Sequence, residues 1–290
     1  MKALIIYNRF SGVNGNKDVN YIKNRISKKY NIVDIFESKN DIKEYVLCNA
    51  SYYYLLIVIG GDGTINQAVN GLMLVSKKPL LAYIPMGTCN DFGRSLGLKE
   101  TLHYVTDKII EGNTKLIHVN KINTDYYLYG LAIGNMTNVS YQINPILKKM
   151  FGRLSYYLNG IKHMFKNDSF ELDMIIDGKH IKENCFCLMV LNTRFLASLK
   201  LRLKEDYVDS EDLKIVVIKK KNKVINLFDL VMFFLMGEKY NHNVKYFYGT
   251  NIKINTDKLM RYNIDGECLP LLKNVELNRL INSINLIVYK

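Results

Sequence analysis

The first 120 residues place four short apolar runs at regular intervals, separated by polar turns and by stretches of helical periodicity. The runs are "KALIIYN" from Lys2, "NIVDIF" from Asn31, "LLIVIG" from Leu55 and "LLAYIP" from Leu80. Between the first two, Val19, Ile22 and Ile26 recur at helical spacing; between the last two, Ile65, Ala68, Val69 and Leu72 do the same. "LLIVIG" holds no polar side chain, as expected for a strand covered on both faces. Strands that alternate with helices predict a parallel sheet flanked by helices.

From about Val119 the rhythm changes to alternating, strand-like runs. "VNKINTDYYLYGLAIG" turns at Asn123-Thr124-Asp125, and "FELDMIIDGKHIKENCFCLMVLN" turns at Asp177-Gly178, a strong hairpin signal. "LKIVVIKK", "VKYFYGTN", "NIKINT" and "LMRYNIDGE" continue the pattern, interrupted by helical stretches at Pro145 to Phe165 and Val224 to Met236. The second half is therefore expected to be mainly antiparallel β. No local feature says which half the last strand, "INLIVYK", joins.

Charge and cysteine content narrow the class. Forty Lys and Arg against 27 Asp and Glu give a formal charge of +13. That excess suits an anionic partner (nucleic acid, a nucleotide or an acidic membrane surface) or a solvated basic face. No zinc spacing, RNP motif or helix-turn-helix signal supports nucleic acid. The five cysteines form no CxxC pair, which fits a reduced, cytoplasmic chain. "MKALIIYNRF" is too short an apolar run for a signal peptide. No run reaches the roughly 18 apolar residues of a membrane span. The nearest, "LFDLVMFFLMG", is short and holds an aspartate; "LVMFFLM" could line a lipid groove, but a core helix is the commoner reading.

Open parallel sheets bind ligands beyond the carboxyl ends of their strands. Three polar loops fall there: Asn8-Arg9-Phe10-Ser11-Gly12, Gly60-Gly61-Asp62-Gly63-Thr64 and Gly87-Thr88-Cys89-Asn90-Asp91. Glycines let the backbone approach a ligand, and helix N-termini attract phosphate. Ser11, Thr64 and Thr88 add hydroxyls. Neither a P-loop nor a GxGxxG fingerprint occurs. Asp62 among phosphate-binding amides would repel phosphate unless Mg²⁺ mediates; the other reading makes it the N-cap of the following helix.

"GGDGTINQAVNGL", followed about 20 residues later by "IPMGTCNDFGRSLGL", resembles the catalytic domain of the diacylglycerol kinase and sphingosine kinase superfamily, most of all the soluble bacterial diacylglycerol kinases. "NRFSG", "GNMTNVSYQIN", "FGRLSYYLNGIKHM" and "NIDGE" fall in the expected order over nearly the whole chain. The resemblance implies an α/β nucleotide-binding domain over residues 1–118, joined by the C-terminal strand 280–290. It implies an antiparallel β-sandwich domain over 119–279 that carries the DGE motif, with ATP in the cleft between. By match to the motifs, Asn8, Ser11, Gly12, Gly60, Gly61, Asp62, Gly63, Thr64, Asn66 and Thr88 would bind ATP, with Ser38 at a hydroxyl contact. Asp62 would reach the nucleotide through Mg²⁺. Glu267 would be the general base, with Asp265 and Asp62 in the catalytic network. By itself "IDGE" reads as a hairpin turn. The implied reaction moves a phosphoryl group from ATP to a lipid hydroxyl at an anionic membrane surface, and similar enzymes pair as homodimers. Lys148, Lys149, Arg153, Lys162 and Lys166, near Phe151, Tyr156 and Phe165, would supply peripheral attachment.

Several positions depart from the family pattern. Arg9 stands where proline is usual, Val13 where lysine is common, and Gln67 where glutamate is usual. Ser210-Glu211 replaces an Asp-Gly pair whose aspartate holds a structural Mg²⁺ in similar enzymes. Serine is a poor Mg²⁺ ligand beside a carboxylate; Asp209, Glu211 or Asp212 could shift in, and no residue here is assigned to that second metal. These changes keep three alternatives open: a weak or inactive family member, a kinase for another lipid alcohol, and a related kinase acting on NAD.

Overall fold

The computed structural model describes residues 1–8, 16–39, 41–98, 101–134, 169–196, 199–204 and 208–289. They form two compact units, one of Met1–Val119 with Leu280–Lys290, the other of Asn120–Arg279.

The first unit is built on the four apolar runs. β1 (Lys2–Asn8), β2 (Ile32–Ser38), β3 (Leu55–Gly60) and β4 (Leu80–Pro85) make a parallel sheet in the order β4-β3-β1-β2. All six residues of β3 are buried, which is why that run lacks polar residues. Each such side chain stabilises the fold by roughly 1.5–3 kcal/mol. Helices α1 (Asn16–Ile26), α2 (Ile42–Asn49), α3 (Asp62–Leu72), α4 (Asp91–Ser95) and α5 (Leu102–Glu111) connect and cover the strands. α3 lies tight against α2 because residue 71 is glycine: a Cβ there would stand 2.4 Å from the Lys43 carbonyl oxygen. The chain's last residues complete the sheet, pairing Leu286 with Leu81 on β4 in parallel. There the Tyr289 hydroxyl donates to the Tyr83 carbonyl at 2.7 Å.

β1 and β3 are neighbours whose outgoing connections run in opposite directions, β1 toward β2 and β3 toward β4. The crevice at their carboxyl ends is therefore the switch point of the sheet, the place where folds of this kind bind ligands.

The second unit is antiparallel. It contains β6 (Asp125–Tyr127), β7 (Gly130–Gly134), β8 (Phe170–Ile176), β9 (Lys179–Leu191), β12 (Leu213–Lys219), β13 (Val244–Gly249) and β14 (Asn251–Ile264). It also holds the short β10 (Phe195–Leu196) and β11 (Leu199–Lys200). β5 (Thr114–Ile122) leads into it and β15 (Glu267–Ile287) leads out. The ladder closes on itself: β7 pairs β9 and β14, and β8 pairs the other ends of the same two strands. Strands that switch partners along their length must bend. β9 does so at Phe186, where the facing strand steps from Ile218 opposite Cys187 to Lys219 opposite Cys185. Leu188 and Val190 then face one core while Cys187, Met189 and Leu191 face another. Burial on both faces explains the unbroken apolar run "CFCLMVL".

The second core is roofed by α6 (Lys223–Met236), an element the sequence locates well. The structure corrects its reading as a core helix: Leu230 and Phe233 are buried, but Val224, Phe228, Val231 and Leu235 are exposed. Among the described residues no helix is long and apolar enough to cross a membrane.

Candidate active site

The loop after β3 is held from three sides. The Tyr83 hydroxyl, on β4, donates to the Gly60 carbonyl at 3.2 Å. The backbone N–H of Met86 donates to the same carbonyl at 2.8 Å. Gly61 meets Gly87 of the next loop so closely that a Cβ on Gly87 would stand 2.4 Å from the Gly61 Cα. Two glycine loops, 26 positions apart in the chain, thus form one surface at the carboxyl edge of β3 and β4. Asn90 stiffens the second loop from a left-handed backbone (φ 53°). Its Oδ1 accepts from the Gly87 N–H, and its Nδ2 donates to the Gly87 carbonyl, both at 2.8 Å.

Asp62 joins the two loops. It is the first residue of α3, yet it does not cap that helix; Gly61 occupies the cap position. Its carboxylate instead accepts from the N–H groups of Asp91 at 3.1 Å and Phe92 at 3.2 Å, at the start of α4. Burial raises its pKa despite these lowering hydrogen bonds and the charge of Arg94. A desolvated carboxylate whose charge is still penalised is one that a cation would favour. Among the described residues no three His, Cys, Asp or Glu side chains converge on a metal position. Mg²⁺ at Asp62 would thus take its other ligands from phosphate and water, the coordination Mg²⁺ favours. The residues fit a metal carried in by a nucleotide.

The other predicted contacts divide. Asn8 ends β1 directly opposite Ser38, the end of β2. Ser38 is buried, with its hydroxyl turned to Asp41 Oδ1 at 3.3 Å. Thr88 is exposed on the second loop. Thr64 is buried and folded back over Gly60; a Cβ on that glycine would meet the Thr64 hydroxyl oxygen at 2.5 Å. Asn66 is buried too, its Oδ1 accepting from Asn70 Nδ2 at 3.0 Å within α3. Gly63 lies in the first turn of α3, where backbone N–H groups have no acceptor within the helix. Ser11, Gly12, Arg9 and Val13 lie outside the described residues, as do Lys148, Lys149, Phe151, Arg153, Tyr156, Lys162, Phe165 and Lys166. A cavity of about 210 Å³ opens beside the second loop, lined by Pro85, Met86, Asn90, Arg94, Leu98 and Leu102 among others. A larger one, about 560 Å³ between Asp173, His180, Lys253 and Glu276 of the second unit, contains none of the predicted residues.

In the second unit, Asp265 and Gly266 form the two-residue turn between β14 and β15, with φ of 49° and 85°. Both conformations are left-handed, as a type I′ hairpin requires. The turn reading of "IDGE" is thus correct, and the turn is also an anchor. The buried Asp265 carboxylate accepts from the N–H groups of Leu128 (2.6 Å), Tyr129 (2.9 Å) and Gly130 (3.1 Å). Its own N–H donates to the Gly130 carbonyl at 2.9 Å. Asp265 therefore points into the unit and Glu267 out of it. Glu267 is solvent-accessible, yet enough protein surrounds its carboxyl that desolvation raises its pKa.

Pattern reasoning passed over Arg279. This buried guanidinium bonds Asn120 Oδ1 at 2.6 Å and Asn192 Oδ1 at 2.5 Å. It also bonds the carbonyls of Val208 at 3.2 Å and Ser210 at 2.7 Å. Desolvation lowers its pKa to about 10. Its partners lie 69 to 159 positions away in sequence, so no local signal could have revealed it. The loop at Ser210 is where the resemblance would place a structural Mg²⁺. A guanidinium already supplies positive charge to its carbonyls, and the Ser210 hydroxyl accepts the Asp212 N–H at 3.2 Å. Asp209, Glu211 and Asp212 flank Ser210, but among the described residues no three acidic or His/Cys side chains converge on a metal position there, and Asp209 faces the Arg279 charge.

The first unit is thus a parallel α/β sheet with two glycine loops locked together by a carboxylate at the carboxyl edge of β3 and β4, beside the switch point. The second is a closed antiparallel unit displaying a carboxylate from an Asp-Gly turn. Residues 2–122 match the diacylglycerol kinase catalytic domain family. The chain is 30% identical to the diacylglycerol kinase of Bacillus subtilis (strain 168) over 215 residues, 73% of this chain and 71% of the relative. It is 31% identical to the diacylglycerol kinase of Staphylococcus carnosus (strain TM300) over 216 residues, 74% and 70% of the two chains. Its structure superimposes on the crystal structure of a diacylglycerol kinase from Bacillus anthracis str. Sterne with a TM-score of 0.82, at 25% identity, over 99% of this chain and 96% of that one. The chain belongs to the diacylglycerol kinase family, phosphotransferases with an alcohol group as acceptor.

Proposed function

We propose that this chain transfers the γ-phosphoryl group of ATP to the hydroxyl of a membrane lipid, diacylglycerol before other lipid alcohols. The observation that carries the reading is Asp62: a desolvated carboxylate bridging two glycine loops at the carboxyl edge of the sheet. In this reading the first-turn amides of α3, Asn8 and the exposed Thr88 hydroxyl bind nucleotide phosphates. Asp62 orients the nucleotide's Mg²⁺, which when bound neutralises phosphate charge. Thr64, Asn66 and Ser38, with buried side chains, shape the loops. Asp265 is a positioning residue that fixes the turn from which Glu267 projects. Glu267 takes the proton of the lipid hydroxyl as its oxygen bonds to the γ-phosphorus. The bond from that phosphorus to the bridging oxygen breaks, and ADP leaves. Positioning and charge stabilisation carry most of such a reaction.

The test is transfer of labelled phosphate from ATP to diacylglycerol in mixed micelles, with and without Mg²⁺, beside Asp62→Ala and Glu267→Gln. Full turnover in both variants would refute the site. A panel of diacylglycerol, sphingoid base and other lipid alcohols, with NAD as the soluble control, decides the acceptor. The second reading, a member of low activity, is favoured by Ser210 and the guanidinium in place of metal; trace turnover on every acceptor would establish it.

A further inference from the structure

Surface helices normally turn a polar side to water. α6 does not. Its sequence, "KVINLFDLVMFFLM", contains two charged residues, Lys223 and Asp229. Asp229 is buried, accepting from the Tyr240 hydroxyl and, at 2.8 Å, from Asn243 Nδ2. Its inward side is Asn226, Asp229, Leu230 and Phe233. On the outward side Val224, Phe228, Val231 and Leu235 are 77, 57, 44 and 60% exposed. Their spacing of four, three and four puts them in one stripe along the helix. Buried apolar burden on one side and bare apolar surface on the other leave the helix half covered.

The exposed charges at the ends of the stripe are mainly cationic; Lys219, at the end of β12, is paired with Glu183 at 3.8 Å. Residues 219–223 read Lys-Lys-Lys-Asn-Lys, ahead of and into the first turn. The helix dipole disfavours cations at an N-terminus, so these lysines do not serve helix stability. At the other end Lys239 is exposed, as are Arg202 and Lys204, whose segment meets Glu238 through the Arg202 carbonyl and the Lys204 N–H. The acidic residues between 219 and 239 are Asp229 and Glu238. Glu238 is turned inward to a buried ion pair with Lys214 at 2.5 Å. A second copy of the chain on this face would bring cation against cation at both ends. A bilayer with anionic headgroups matches both parts: acyl boundary for the stripe, phosphate for the lysines.

We propose that the outer face of α6, with the lysines at 220, 221 and 223, docks the protein on anionic membrane surface, with Val224, Phe228, Val231 and Leu235 entering the headgroup–acyl boundary. It rests on the reading of a lipid substrate but is measured without turnover, so either can fail alone. The experiment is co-sedimentation with vesicles of phosphatidylcholine containing about one-third phosphatidylglycerol, and with phosphatidylcholine alone, for the full chain and for Phe228→Glu/Leu235→Glu and Lys221→Glu/Lys223→Glu. All four positions are exposed, and unchanged unfolding temperatures show that the variants fold. The expected result is binding to the anionic vesicles only, reduced about tenfold in each double variant. Turnover on a short-chain, water-soluble diacylglycerol should be unchanged in both. Equal binding to neutral vesicles, binding indifferent to both variants, or a self-association that Phe228→Glu/Leu235→Glu abolishes would each overturn it.

Discussion

Two carboxylates separated by one glycine have different work at the residue scale. Glu267 has a pKa raised by desolvation, so its ionised form is disfavoured in the fold. A carboxyl group with a raised pKa weakens the fold above that pKa and has no effect below its unfolded value. Glu267→Gln should therefore be at least as stable as the parent at neutral pH and indistinguishable at low pH in urea titrations. Its kcat should fall by about 10²–10⁴. In the parent, activity should be lost as pH falls through a pKa above the ordinary carboxylate value, because the base must be deprotonated. An acid limb at the ordinary value would remove Glu267 from the role. Asp265 should respond oppositely. Removing its carboxylate leaves three buried backbone N–H groups without an acceptor. Asp265→Ala should cost about 3 kcal/mol or more, read from the urea midpoint. Asp265→Asn, which tolerates the left-handed backbone and keeps one acceptor, should cost less.

At the scale of elements, the two glycine loops are one device. Gly87→Ala would drive a Cβ into the Gly61 backbone, and neither side can yield as a flexible side chain would. Overpacking of this sort costs about 1–3 kcal/mol. Nucleotide affinity should fall more steeply than stability, because the loops must separate; calorimetric titration with ATP and Mg²⁺ would show it. Unchanged affinity would mean that loop contact is irrelevant to binding. The elements also show what a sequence can reveal. β3 was legible because burial on both faces demands an unbroken apolar run. α6 was legible in extent but not in exposure, since an apolar stripe reads the same whether it faces a core or lies bare. α2, with only Ile42 and Val46 buried, and α4, five residues long, carry too little periodicity to be seen. Motif glycines and Asp62 stood out by composition. That Asp62 caps a neighbouring helix depends on a contact 29 positions away, which no local pattern encodes.

At the scale of the whole molecule, Arg279 is the feature that ties the second unit together. Arg279 gathers the first residue of that unit (Asn120), the residue just past β9 (Asn192) and the loop at 208–210 with one guanidinium. Its partners in these bonds are neutral oxygens, and the nearby Asp209 carboxylate adds an opposite charge. Removing the cation frees two carbonyls and two amide oxygens at once, each costing about 1–3 kcal/mol when buried and unpaired. Arg279→Met should consequently unfold at a markedly lower temperature, and added Mg²⁺ should not restore it, because among the described residues no three acidic side chains converge there. In the parent, EDTA should leave the unfolding temperature of the nucleotide-free protein unchanged, while ATP with Mg²⁺ should raise it by binding the native state. The combination separates two roles for metal. A fall in unfolding temperature on chelation alone would show that a cation binds the second unit after all. Stabilisation by ATP that EDTA abolishes would locate the metal requirement at the nucleotide and Asp62.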